Sequence, residues 1–118
     1  MCTVLIDGKP AKSCIVKAIS AEGKKITTIE GLSKNGKLDP VQEAFIETGA
    51  MQCGFCSPAL ILSAKALLDK NPSPTEVEIR RALNPVLCRC TGYVRAVNAI
   101  QRAAARIRGE KLDPYIHL

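Results

Sequence analysis

The hydrophobic pattern changes character about a third of the way along the chain. Short β-branched runs at residues 3–6 and 26–29 are typical of strands, and a further run at residues 13–16 follows the first at hairpin distance. Residues 33–39 are polar, contain a glycine and predict a linker. The pattern therefore predicts a small β region over residues 1–32, ahead of a helical region.

Apolar residues recur at helical spacing throughout the second region. Each of four stretches has one apolar stripe, which is typical of short amphipathic helices packed into a bundle. We expect these helices over about residues 40–48, 58–69, 75–84 and 95–108.

Capping residues support these boundaries. Asp39 stands before a proline and predicts the first N-cap, and Ser57 predicts the second. Thr75 and Glu78 have the spacing of a capping box at the start of the third helix. Gly109 follows the fourth stripe and predicts its end.

Composition excludes several classes of protein. The 118 residues are 47% hydrophobic and 24% charged, which is ordinary for a folded domain. A net charge of +6 would suit nucleic acid, but aromatic residues, which stack on single strands, make up only 3%, so we expect no nucleic-acid partner. No apolar run is long enough for a membrane span. The single histidine, His117, lies near the C-terminus, and we expect a tail residue there rather than the base of a hydrolytic site.

The first residues lack a secretory signal, so we expect a cytoplasmic, reducing compartment. In that compartment the six cysteines are better interpreted as metal ligands or redox thiols than as disulfides.

Four cysteines fall in two connections between predicted helices. Cys53 and Cys56 lie between the first and second helices, and Cys88 and Cys90 lie between the third and fourth. Alternate connections of a bundle can emerge at one end, so the four thiolates could converge on one point, as zinc or an iron–sulfur cluster requires. Cys56 also precedes a helix N-terminus, which favours a thiolate.

Spacing alone leaves the metal open. Zinc sites usually pair two C-x-x-C segments about 15–20 residues apart, whereas here the second pair is C-x-C and residues 57–87 separate the pairs. A small zinc-stabilised helical module that binds a partner stays an alternative; a disulfide or a thioredoxin-like role is less favoured. Cys2 and Cys14 have the spacing of the last two ligands of a plant-type iron–sulfur set.

Two segments together resemble a known family. GAMQCGFCSP at residues 49–58 and LCRCTGY at residues 87–93 resemble the signature of the iron–sulfur small subunit of the molybdenum hydroxylases, which include xanthine dehydrogenase, aldehyde oxidoreductase and carbon monoxide dehydrogenase. The match is dense over residues 40–105 and continues thinly through CTVLIDG at residues 2–8.

The resemblance implies an α+β fold. Residues 40–109 would form a four-helix [2Fe–2S]-binding bundle, and residues 1–32 would be a truncated remnant of a β-grasp, plant-ferredoxin-like domain. Residues 33–39 would link the two, and residues 110–118 would form a C-terminal tail. Members of the family carry about 45 further residues ahead of the position that matches Met1, so we expect either a true start upstream or a naturally shortened or split subunit.

The resemblance also implies ligands. A complete [2Fe–2S] cluster would be bound by four cysteines, Cys53, Cys56, Cys88 and Cys90. Gln52 and Cys90 match positions next to the molybdopterin in the family. Cys2 and Cys14 match half of a second [2Fe–2S] site.

The function implied is electron transfer within an oxidoreductase. The chain would accept electrons from a molybdopterin cofactor on a large partner subunit and pass them on, with an FAD-binding medium subunit as a further partner. It would carry no catalytic residue of its own.

Overall fold

The computed structural model describes residues 1–112, so the predicted tail is covered only up to residue 112 and His117 lies outside the described part. The predicted α+β class is confirmed, with a small antiparallel sheet before a set of helices. The strands are β1 (Thr3–Ile6), β2 (Lys9–Lys12) and β3 (Ile26–Thr27); the helices are α1 (Pro40–Glu47), α2 (Ser57–Lys70), α3 (Glu76–Leu83) and α4 (Val94–Ile107).

The sheet has the order β2-β1-β3, with both partners antiparallel to β1. The predicted strand at residues 13–16 is wrong, because β2 begins directly after a two-residue turn. Asp7 and Gly8 take positive φ angles of 50° and 79°, so Ile6 pairs with Lys9 and the hairpin is complete before residue 13. Cys14 therefore lies in the 3₁₀ turn Ser13–Ile15.

The run at residues 26–29 is a strand only in its first half. After β3 the backbone turns into the 3₁₀ segment Ile29–Leu32, which places Leu32 in the core. The β-branched composition of residues 26–29 predicts the start of this strand but not its length, because the chain turns after Thr27 and buries Leu32.

Two of the three predicted N-caps are confirmed. The Asp39 carboxylate accepts the Val41 N–H at 3.0 Å, and Thr75 with Glu78 forms the capping box. The prediction for Ser57 is wrong: the N-cap of α2 is Cys56, which makes no side-chain capping bond, and Ser57 is buried in the first turn. A cysteine thus stands at the start of the central helix.

One core joins the helices to the sheet. α2 is buried along most of its length and around most of its circumference, which its single predicted stripe did not indicate. Leu5 of β1 and Leu32 belong to the same buried cluster as Leu60 of α2 and Ile100 of α4. No helix within residues 1–112 combines the length and apolar character that crossing a membrane requires.

Ion pairs hold α1 against α4. Arg102 Nε donates to Glu47 Oε2 at 2.6 Å, and Arg106 contacts both Glu47 and Glu43, at 2.7 and 3.1 Å. These contacts fix the last turn of α1, from which the first cysteine loop departs.

Candidate metal centre

Two loops bring four cysteines to one end of the bundle. The α1–α2 loop carries Cys53 and Cys56, and the α3–α4 loop carries Cys88 and Cys90. Across the loops, the Cys53 thiol interacts with those of Cys90 and Cys88, and the Cys56 thiol interacts with that of Cys88. The predicted juxtaposition of the two loops is therefore present.

Within residues 1–112, no group of three or more His, Cys, Asp or Glu side chains is arranged to hold a metal ion as it stands. The expectation of four thiols around one metal centre therefore stays a prediction, and Cys53 interacts with Cys56 and Cys88 as well as with Cys90.

The four cysteines of these loops differ in burial. Cys56 and Cys88 are 8% and 7% exposed and belong to the hydrophobic core, whereas Cys53 and Cys90 are exposed. Cys56 and Cys88 are consequently anchored in the packed bundle, whereas Cys53 and Cys90 lie at the protein surface.

Cys88 is surrounded by hydrogen-bond donors. Thr91 Oγ1 lies 3.0 Å from Cys88 Sγ, and the Thr91 N–H donates to the same sulfur at 3.4 Å. Burial acts to raise the pKa of the Cys88 thiol, but these bonds and the Cys56 thiol outweigh it and lower the pKa to about 7. The loop therefore stabilises a thiolate at Cys88.

Cys56 behaves in the opposite way. Burial, followed by donation of its thiol to Cys88, raises the pKa of Cys56 to about 11. The lowering by the local backbone N–H is smaller than these two effects, so burial opposes the thiolate that the helix N-terminus is predicted to favour at Cys56. For Cys53 the Phe55 N–H, and then the Cys90 thiol, lower the pKa.

Tyr93 fixes the shape of the second loop. Its hydroxyl accepts the Cys88 N–H at 2.8 Å and donates to the Val86 carbonyl at 2.7 Å. Gly92 and Tyr93 take φ angles of 63° and 69°, which turn the chain sharply into α4. The hydrogen-bonding roles of Tyr93 and Thr91 were not predicted; two hydroxyl residues within five positions of a C-x-C segment were the available signal.

The remaining predicted site residues are placed as follows. Gln52 is exposed beside Cys53, at the same end of the bundle as exposed Cys90. Cys2 and Cys14 form a separate pair with sulfurs 3.3 Å apart at the sheet. The Cys14 N–H, followed by the hydrogen bond between the two thiols, lowers the pKa of Cys2, and the hydrogen bond with Cys2 raises the pKa of Cys14.

Comparisons with known proteins agree on one family. Residues 28–101 match the family described as "[2Fe-2S] binding domain". The chain is 48% identical over 105 residues to the nicotinate dehydrogenase small FeS subunit of Eubacterium barkeri, covering 89% of this chain and 67% of that subunit. It is 52% identical over 101 residues to the xanthine dehydrogenase iron–sulfur-binding subunit of Escherichia coli O157:H7, covering 84% of this chain and 64% of that subunit.

Solved structures show the same similarity. Quinoline 2-oxidoreductase from Pseudomonas putida 86 matches with a TM-score of 0.83 and 44% identity, over 93% of this chain and 70% of the other. Aldehyde oxidoreductase from Desulfovibrio gigas matches with a TM-score of 0.88 and 45% identity, over 93% of this chain and 12% of the other. The chain thus spans about two thirds of the small subunits it resembles and a small part of the single-chain enzyme.

Proposed function

We propose, from the premise that this chain belongs to the [2Fe–2S]-binding family of molybdenum hydroxylase small subunits, that it transfers electrons from a molybdopterin cofactor on a large partner subunit. The observation that carries the proposal is that thiols of the two cysteine loops lie close enough to interact with one another at one end of the bundle. The relatives are named as iron–sulfur subunits, which disfavours the zinc-module alternative.

The donor set fits a binuclear cluster. Four cysteine thiolates bind a [2Fe–2S] cluster, and the two loops together supply four thiols. In this proposal Cys53, Cys56, Cys88 and Cys90 would hold the cluster. The bound cluster supplies one-electron redox chemistry.

The four proposed ligands differ in their exposure to solvent. The buried thiols, Cys56 and Cys88, would anchor the cluster on the bundle, and the exposed thiols, Cys53 and Cys90, would bind it near the surface. Gln52 stands beside the exposed Cys53, so we assign Gln52 and Cys90 to the molybdopterin-facing end. An electron would enter by this short path.

The surface around the exposed thiols is apolar enough to dock on a partner. Phe55 and Leu87 lie in the two cysteine loops and are 74% and 75% exposed. Large apolar side chains at such exposure are typical of interaction surfaces. We propose that this end docks on the molybdopterin subunit, that an FAD-binding subunit is a further partner, and that the assembly is cytoplasmic.

Cys2 and Cys14 supply half of a second site. Their sulfurs lie 3.3 Å apart, which supports the proposal that both would bind one iron, and two further ligands would have to come from elsewhere. We retain the division into a ferredoxin-like part at residues 1–32, a linker at 33–39, a cluster-binding part at 40–109 and a tail at 110–118 as a proposal. The second cluster belongs to the same proposal.

The experiment is to co-express the chain with its molybdopterin subunit and to add xanthine, nicotinate or an aldehyde without oxygen. Visible absorbance of the cluster should bleach with one of these compounds, and only when the large subunit is present. The chain alone, loaded with cluster, is the control. A cluster-loaded chain that does not associate with the large subunit would contradict the proposal.

A further inference from the structure

Thr91 makes three contacts that together orient its hydroxyl toward Cys88. Its Oγ1 lies 3.0 Å from Cys88 Sγ, and its own N–H donates to that sulfur at 3.4 Å. The same Oγ1 accepts the Tyr93 N–H at 3.2 Å. The side chain is therefore fixed between the cysteine and the first residues of α4.

The direction of the bond to sulfur follows from the proton inventory. A metal-bound Cys88 is a thiolate and has no proton to give. The Thr91 hydroxyl has one proton and accepts the Tyr93 N–H through a lone pair, so its proton is free for Cys88. The hydroxyl must then be the donor, and the bond is assisted by the charge on sulfur.

The donor is specific to one of the four ligands. In the hydrogen bonds of residues 1–112, Cys88 is the cluster cysteine that receives a side-chain hydroxyl, and it does so in a buried position. Reduction of a cluster adds negative charge that spreads onto its sulfurs, and a donor aimed at one sulfur stabilises that charge. The low local dielectric makes the interaction stronger than it would be in water.

We propose that Thr91 is a positioning residue that raises the reduction potential of the cluster through its hydrogen bond to Cys88. The inference rests on the proposed function, since it requires a cluster bound by Cys53, Cys56, Cys88 and Cys90. One electron is added in the step concerned, and no bond to Thr91 is made or broken.

The test compares Thr91→Val with Thr91→Ser in the chain assembled with its partner. Valine keeps the shape and the backbone N–H but removes the hydroxyl, whereas serine keeps the hydroxyl. Cluster loading is measured first, by iron content and visible spectrum. The midpoint potential is then measured by redox titration followed by electron paramagnetic resonance.

We expect Thr91→Val to shift the midpoint potential to a lower value and Thr91→Ser to match the wild type. Thr91→Ala replaces Thr91→Val if the valine variant loads no cluster. An unchanged potential in the valine or alanine variant overturns this inference alone, as does an equal shift in the serine variant. A wild-type chain without cluster overturns the proposed function as well, so the two failures are distinguishable.

Discussion

The Tyr93 hydroxyl accepts the backbone N–H of Cys88 at 2.8 Å and so joins the beginning of α4 to the loop that carries Cys88 and Cys90. Because the same hydroxyl donates to the Val86 carbonyl, it satisfies two backbone groups at once. The backbone that carries the buried Cys88 thiol is therefore held in position by the protein itself.

Tyr93→Phe should destabilise the fold, because it leaves the Cys88 N–H and the Val86 carbonyl without their shared partner. The expected loss is about 1–3 kcal/mol in the free energy of unfolding, measured by urea denaturation of the metal-free chain. Ser20→Ala is the control, since it removes an exposed 2.7 Å bond from a hydroxyl to the Lys17 carbonyl. Equal effects in both variants would contradict the role given to Tyr93.

Glu47→Gln should weaken the contact between α1 and α4. The hydrogen bond from Arg102, with a further contribution from Arg106, holds the pKa of Glu47 below its ordinary value of 4.5. A carboxyl group whose pKa is lower in the folded state stabilises that state fully at pH values above its pKa in the unfolded chain. This contribution is lost as pH falls through its pKa in the folded state. The variant should therefore be less stable at neutral pH by about 0.5–1 kcal/mol.

The difference in the free energy of unfolding between wild type and Glu47→Gln should persist as pH falls to about 4.5 and should disappear at lower pH. Urea denaturation at a series of pH values measures it. Glu76→Gln is the matched control, because Glu76 pairs with Arg80 on the exposed surface of a single helix. A stability difference that does not change with pH would contradict the assignment to the Glu47 charge.

The helices were predictable because their local signals agree with their packing. The Asp39 cap and the Thr75–Glu78 capping box are local hydrogen bonds whose residue types the sequence displays. The start of α2 was misplaced because burial, which a single sequence does not display, makes Ser57 a core residue. The second strand was misplaced because the tight turn at Asp7 and Gly8 fixes its register.

At the site, loop spacing predicted which cysteines lie close together, and their joint binding of one cluster stays a prediction. The burial of Cys56 and Cys88 depends on the tertiary packing of α2, and so does the desolvation that opposes the expected thiolate at Cys56. The supporting contacts of Thr91 and Tyr93 depend on two residues with positive φ. Such geometry is set by the folded loop and leaves little trace in hydrophobic periodicity.

Gln52→Ala should leave the cluster spectrum unchanged, because Gln52 is not a proposed ligand, but should slow reduction of the cluster by substrate in the assembled enzyme. Stopped-flow measurement of visible bleaching after mixing with substrate gives the rate. Gln101→Ala, an exposed glutamine on α4, is the control and should have no effect. An unchanged rate in Gln52→Ala would remove Gln52 from the cofactor-facing end.

The central claim is that Cys53, Cys56, Cys88 and Cys90 hold one [2Fe–2S] cluster, and the most direct measurement is iron and acid-labile sulfide in anaerobically purified chain. The wild type should contain about two irons and two sulfides at this site. Cys88→Ala should lose them, because two loops share the ligands, and Cys14→Ala should keep them. A colourless protein with one equivalent of zinc, or equal loss in both variants, would contradict the account.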